Sequence, residues 1–311
     1  MPGDNQNRHG LRATFTTMRQ EVEHAVNLLR HGDDASVEQA LTLLQNTVFS
    51  FSMRVCGQRE DAEDTMQEVL LKSLPHLPKF DNPKALVVWL YKVAKNRCLM
   101  NRRRSKFAPS QELSLENLMP DRKELERLGT GDGINPEMFA IRSEEAGRLR
   151  AAIQQLPPQY HIILVLRDME GLTDDEVAEI TGLRPGTVRV RLHRARLFVR
   201  QKLTKTWSAK RSPAGKPMRS EVSHRMPNCK ALFAELSNYL DEKLDDSMCE
   251  QLEKHLDGCA PCKTFLATLE ATIEGCRMAL AESLDRRRAR ELRKKLLAEY
   301  AEMFPKNISK R

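Results

Sequence analysis

The sequence has no long apolar run. None of its apolar stretches approaches the roughly 18 residues that a helix needs to cross a bilayer. The N-terminal MPGDNQNRHGLR lacks the apolar centre of a signal peptide. A membrane-embedded protein is therefore excluded, and a cytoplasmic one is expected. Aromatic residues make up only 5%, which suits small helical modules more than one large core. Internal repeats and low-complexity tracts are missing as well, so a solenoid or array is not expected. There is no phosphate-binding loop, no hydrolytic triad, and no open metal site beside a general base. Enzymatic activity is not expected. One further lack is local. Between Arg184 and Lys202 there is not one acid, while Arg184, Arg189, Arg191, Arg194, Arg196, Arg200 and Lys202 supply seven cations.

What is present fits a polyanionic partner. The 311-residue chain carries a formal net charge of +8 and 30% charged residues. Its length suggests two or three domains. The stretch Leu156 to Lys202 reads as a helix-turn-helix. Thr173 with Glu176 is a capping box at a helix start, and Val177, Ala178 and Ile180 give that helix one apolar face. Gly182 supplies a tight turn, and Pro185 suits the first turn of the next helix. In that second helix Val188, Leu192, Ala195 and Val199 form the buried stripe. Its arginines are then expected on the remaining faces, open to phosphates and guanine edges. A solvated basic surface is the bland alternative.

Taken in order, the chain predicts an all-α fold of several modules. Residues 1–16 are polar and expected to be disordered. A helical module covers 17–106. Within it, EDAEDTMQEVLLKSL, from Glu60 to Leu74, opens with acids that suit a helix N-terminus. The helix from Ala85 to Arg104 starts apolar, with Trp89 and Tyr91, and ends basic in NRCLMNRRR. An acidic helix beside a basic one implies two partners: a basic protein surface for the first and nucleic acid for the second. Residues 107–142, rich in Pro and Gly, read as a flexible linker. The helix-turn-helix module follows at 143–203 and a second linker at 204–227. A third helical unit covers 228–285 and a basic helical tail 286–311, and the stretch from Asp285 to Lys295, dense in Arg and Lys, is expected to be solvated.

The sharpest chemical signal is His255-Leu-Asp-Gly-Cys259-Ala-Pro-Cys262. A C-x-x-C places two sulfurs about one turn apart, and the histidine lies one turn earlier. Three donors on one knuckle suit a single zinc ion, structural or redox-sensing. A closed structural site takes four ligands. Cys229 is the choice for the fourth, and Cys249 is the rival. A redox pair is the alternative reading of the C-x-x-C. Cys56, Cys98 and Cys276 read as ordinary apolar packing residues.

These strings resemble those of a bacterial RNA polymerase sigma factor of the extracytoplasmic-function class. The resemblance rests on Gly32-Asp33, DAEDTMQEVLLK from Asp61, WLYKVAKNR from Trp89 and GTVRVRLHRAR from Gly186, in that order. The third unit resembles the zinc-binding anti-sigma domain. The resemblance implies that Asp61, Asp64, Gln67 and Glu68 grip core RNA polymerase. It implies that Phe80 and Asn96, with the basic Arg97, Arg102 and Arg103, open the promoter −10 element around a flipped base. It places Arg189, His193 and Arg194 against the −35 element, with Arg184 and Thr187 near phosphate at the helix start. Two positions depart from the family pattern. Met100 stands where many members carry aspartate. Val190 replaces a small polar residue and favours contact with a thymine methyl.

The expected function is promoter recognition for core RNA polymerase, regulated in cis by the zinc unit folding against the sigma modules. The competing reading is a free-standing helix-turn-helix regulator. The acidic helix distinguishes them, since a simple repressor has no use for it. A third reading, a nucleic-acid-binding knuckle, is disfavoured by the acids of 235–257, from Glu235 to Glu253.

Overall fold

The computed structural model describes residues 12–31, 33–80, 82–104, 112–121, 124, 128, 143–208, 226–279 and 284–303. Within these, the side chains of 12–19, 78, 101–104, 143–145, 206–208, 226–231 and 234 lie outside the description. Every regular element among the described residues is helical. The chain divides into two compact units, one formed by 1–108, 175–183 and 280–311, the other by 109–174 and 184–279.

The first unit is built on helices α1 (Arg12–His31), α2 (Asp34–Cys56), α3 (Arg59–Ser73) and α4 (Pro83–Arg104). Helix α1 therefore begins inside the segment expected to be disordered. The start of α2 is set by Asp33, whose carboxylate accepts from the Ser36 amide at 2.9 Å. Its end is set by Gly57 at φ 79°, a left-handed turn that an L side chain resists. That turn reverses the chain directly into the acidic helix α3. Val37, Leu41, Leu44, Val48, Met66, Val69, Leu70, Leu90 and Ala94 are buried along the helices. Phe51 of α2 stacks on Tyr91 of α4 with ring centroids 4.2 Å apart. Tyr91 is thus a core residue, while Trp89 is half-buried and stands edge-on to His76 and tilted against Phe80. Beyond Phe51, Cys56 and Cys98 join α2 to α4 by a disulfide. This corrects their reading as plain packing residues: their Cα atoms face each other at 5.4 Å, within bonding range.

The last helix of the chain, Arg286–Met303, also packs in this unit. Ala289, Leu292, Leu296 and Tyr300 form its buried stripe. The buried Gln45 of α2 donates to the Ala289 carbonyl at 3.1 Å. The basic segment is therefore not simply solvated. Its cations take one face and its apolar residues the other, so the charge density conceals an amphipathic helix. Residues 175–183 group with this unit too, where Lys95 donates to the Ile180 carbonyl at 2.7 Å.

The second unit contains α5 (Leu115–Leu118), α6 (Ser143–Gln154), α7 (Pro158–Leu164) and α9 (Pro185–Ser208), where α8 denotes Asp174–Thr181. Helix α7 continues into a wider turn, Val165–Met169. The unit also holds α10 (Met226–Leu240), α11 (Asp246–Gly258) and α12 (Ala260–Met278); α13 denotes the last helix, Arg286–Met303. Its apolar core draws on three stretches of sequence. Leu197 of α9 lies in one cluster with Phe233 and Leu236 of α10, Leu252 of α11, and Phe265, Leu269 and Ile273 of α12. Leu118 and Leu128, from the segment read as a flexible linker, complete that cluster. The described part of 112–128 is thus anchored by apolar burial, and the Leu113 amide donates to the Tyr160 hydroxyl at 3.1 Å.

Candidate nucleic-acid interface and metal cluster

Helix α8 ends at Gly182, whose φ of 74° turns the chain toward α9. Pro185 opens α9, as its missing amide hydrogen allows. Val188, Leu192, Ala195 and Val199 are buried, so the expected inward stripe is the observed one. The polar residues do not share one environment. Arg184 and Arg189 are exposed, and Val190 shows 51% of its surface. Thr187 and Arg194 are half-buried. His193 is buried, and its Nδ1 lies 2.7 Å from the Ser237 hydroxyl of α10. Burial, followed by the charges of Arg196 and Arg194, pushes its pKa down to about 4. The ring is therefore neutral near pH 7.

The expectation that all arginines of α9 lie on open faces is not met. Arg196 and Arg200 are among the largest fully buried side chains. Arg196 is held on two sides. Its Nε and Nη2 donate to Asp168 at 2.8 and 2.6 Å, and its Nη1 and Nη2 to Asp241, in the turn directly after α10, at 2.9 and 3.0 Å. Burial works against its charge, but the two carboxylates prevail and raise its pKa. Arg200 donates to Thr268 at 2.8 Å and to Glu124 at 3.0 Å, with its guanidinium 3.6 Å from the Phe265 ring centroid. Burial pulls its pKa down to about 10, only partly offset by Glu124. Asp174 receives both Arg167, at 2.7 Å, and Lys243, from the turn after α10. Desolvation raises its pKa, and the two cations outweigh that and lower it.

The acidic helix α3 presents its candidate residues unevenly. Asp64 is exposed, whereas Asp61, Gln67 and Glu68 are half-buried. Glu68 is 2.7 Å from Lys72 and also 2.7 Å from Arg97 of α4. Asn96 is exposed, and Phe80 lies 6.0 Å from Trp89 between ring centroids. The exposed Met100 stands one turn beyond Asn96. The side chains of Arg102 and Arg103 lie outside the described residues.

The metal cluster is built at the junction of two helices. Helix α11 is capped by Asp245, which accepts from the Met248 amide at 2.9 Å. It carries His255 in its last turn, and Cys259 links it to α12 with Pro261 in the first turn of that helix. The ligand atoms of His255, Cys259 and Cys262 all lie within 4.8 Å of one another. Donors sharing a tetrahedral zinc at about 2.3 Å stand about 3.7 Å apart, so the spacing fits one ion with slight contraction. One imidazole and two thiols are the donor types zinc takes. Cys249 is outside this group among the described residues, and the side chain of Cys229 lies outside the description.

Sequence reasoning missed Asp168, Asp241, Ser237, Glu124 and Thr268. Each reaches α9 from far along the chain, and no local pattern marks it. Among the described residues, no helix is long and apolar enough to cross a membrane.

Comparison with known proteins agrees with this geometry. Residues 41–107 match the Sigma-70 region 2 family and 146–199 match Sigma-70, region 4. Residues 229–263 match a zinc-finger family, a span that runs from Cys229 past Cys262. The chain is 25% identical over 186 residues to the ECF RNA polymerase sigma factor SigW of Bacillus subtilis, which covers 60% of this chain and 98% of that protein. It is 32% identical over 178 residues to the ECF RNA polymerase sigma factor SigE of Mycolicibacterium smegmatis, covering 56% of this chain and 65% of the relative. To the RNA polymerase sigma-H factor of Pseudomonas aeruginosa it is 27% identical over 187 residues, covering 57% and 91%. Regions 2 and 4 are both matched, in order, with a zinc finger behind them, so the chain carries the two sigma-70 regions, is similar to RNA polymerase sigma factors of the extracytoplasmic-function class, and adds a C-terminal zinc-finger unit.

Proposed function

We propose that this chain directs core RNA polymerase to promoters in the cytoplasm and is restrained in cis by its own C-terminal third. Helix α3 binds the polymerase through Asp61, Asp64, Gln67 and Glu68. Phe80, Asn96, Arg97, Arg102 and Arg103 act on the −10 element, and Arg184, Thr187, Arg189, Val190, His193 and Arg194 act on the −35 element. A single zinc ion is held by His255, Cys259, Cys262 and Cys229, and when bound it supplies folding free energy to the knuckle. The residues around it fix the helices: Cys259 and Cys262 join the end of α11 to the start of α12.

The observation that carries cis restraint is the side of α9 that α10 occupies. Ser237 meets His193 and Asp241 meets Arg196, so one proposed −35 contact is engaged within the chain. In the first unit, Arg288 of α13 lies 3.0 Å from Glu63 on the polymerase-binding helix. Tethering makes both contacts intramolecular, with effective concentrations in the millimolar range for short flexible links. Weak docking is then sufficient to hold most molecules closed.

Run-off transcription with core polymerase tests this, comparing the full chain with one ending at residue 225. The truncated chain should be the more active. Equal activity would remove cis restraint, and failure of both chains to bind core polymerase would remove the sigma role itself.

A further inference from the structure

The promoter and zinc readings leave Cys56 and Cys98 unused. They sit where α2, α3 and α4 meet. Cys56 is the last residue of α2, directly before the left-handed Gly57 that launches acidic α3. Cys98 lies beside Arg97, on the basic half of α4. A third group faces both: the buried Thr65 hydroxyl of α3 is 3.8 Å from each sulfur. Cys56 keeps 9% of its surface open and Cys98 only 1%. The interface they close is already packed further along by Phe51 on Tyr91. The fold therefore does not need the bond in order to assemble, and making or breaking it acts on the end of a standing helix pair.

We propose that Cys56 and Cys98 form a reversible oxidation site for hydroperoxides, whose state sets how tightly the start of α3 is fastened to the basic end of α4. The reversibility rests on the proposed sigma role, because a chain working on polymerase and promoter DNA is in a thiol-reducing compartment, where disulfides are transient or sensory. The more open Cys56 attacks first, as the thiolate. Its sulfur takes the distal peroxide oxygen, the O–O bond breaks, and the alcohol or water leaves after protonation. Cys98 sulfur then attacks the Cys56 sulfenic sulfur, the S–O bond breaks, and a water departs with the Cys98 proton. Overall two thiols lose two electrons and two protons, and one hydroperoxide is reduced. A dithiol reverses the change by exchange through a mixed disulfide. The Thr65 hydroxyl, within reach of both sulfurs, donates toward the thiolate.

The bond closes a loop with a sequence separation of 42, so its loss frees much chain entropy. The full-length, zinc-loaded chain is treated with dithiothreitol or with hydrogen peroxide. Peptide mapping under non-reducing conditions then separates a Cys56–Cys98 pair from any oxidation of Cys259 and Cys262. The expected result is a Cys56–Cys98 peptide that appears with peroxide and vanishes with dithiothreitol. Amide exchange at 58–62 and 96–99 should be at least about tenfold slower in the oxidised chain, and the first unit should melt roughly 10 °C higher. A Cys98→Ala chain should exchange like the reduced protein in both conditions. The idea is overturned if both thiols remain alkylatable after peroxide. It is equally overturned if the pair resists dithiothreitol in the folded chain, or if exchange is the same in both states. None of these readouts uses polymerase or promoter, so a failed sigma reading is told apart by transcription alone.

Discussion

Asp241→Asn is the most direct test of the proposed restraint of α9 by the segment that includes α10. Asp241 gives both carboxylate oxygens to the fully buried Arg196, at 2.9 and 3.0 Å. Removing one partner of a buried ion pair costs about 3–5 kcal/mol when the remaining charge is left alone. Here Arg196 keeps Asp168 at 2.8 and 2.6 Å, and the amide still accepts one hydrogen bond. A lower figure of about 2 kcal/mol is therefore appropriate, which is about 30-fold in a docking equilibrium. If docking competes with promoter binding and the closed form dominates, the full chain should bind −35 duplex up to about 30-fold more tightly. Fluorescence anisotropy at fixed ionic strength measures it, with Glu250→Gln as the control. Glu250 is an exposed acid of α11, so its loss removes the same charge from the surface without touching Arg196. An unchanged or weaker affinity for Asp241→Asn, with helix content intact, would refute the reasoning. So would an equal gain from Glu250→Gln, because the effect would then be net charge and not the pair.

Further outcomes follow from the same contacts. Cys259→Ser should lose stoichiometric zinc and loosen the α11–α12 junction, and zinc retained at one equivalent by elemental analysis would reject Cys259 as a ligand. His193 is held neutral with a pKa of about 4 against an ordinary 6.5, so its contribution is complete above about pH 6.5 and is lost as pH falls toward 4. That amounts to about 3 kcal/mol, read as a falling melting temperature of the second unit, and His193→Asn should flatten the slope. In the first unit, Leu292→Ala should cost about 2–5 kcal/mol of α13 docking, seen as faster amide exchange across 286–303, because Leu292 is 1% exposed. Arg288→Ala should change that exchange little, since the pair with Glu63 is solvent-screened. The reverse order would mean that charge, not burial, holds the last helix.

The parts legible in the sequence are those whose physics is local. Gly182 and Pro185 mark one helix stop and the next helix start within a few residues of each other, and His255, Cys259 and Cys262 are brought together by one helix end and one turn. The buried stripe of α9 is a 3.6-residue period and needs no tertiary knowledge. The burial of Arg196 was not legible, because it depends on Asp168 and Asp241, at sequence separations of 28 and 45. A cation one turn from the apolar stripe looks solvated until those carboxylates arrive. The disulfide, with a separation of 42, escapes notice for the same reason. The stripe Ala289, Leu292, Leu296, Tyr300 is periodic, but the surrounding cations of 286–295 raise the average polarity of the segment and hide it.

Helix α9 is therefore two surfaces in series. Its first turns, with Arg184 just before them, keep Arg189 and Val190 exposed, while its later turns commit Arg196 and Arg200 to carboxylates and to Phe265. Among the described side chains, the farthest forward contact of α10 on α9 is Ser237 with His193. The proposed restraint cannot then work by covering every proposed promoter contact, since Arg184 and Arg189 are exposed. On that proposal it acts through the middle of the helix, where His193 cannot serve Ser237 and a base at once. Such a chain should retain salt-sensitive, sequence-indifferent DNA affinity through its exposed arginines while losing discrimination at the base nearest His193. Comparing specific with nonspecific duplex for wild type and Asp241→Asn separates these terms. A gain confined to the specific duplex supports partial occlusion, and an equal gain on both would mean that α10 covers the whole basic face.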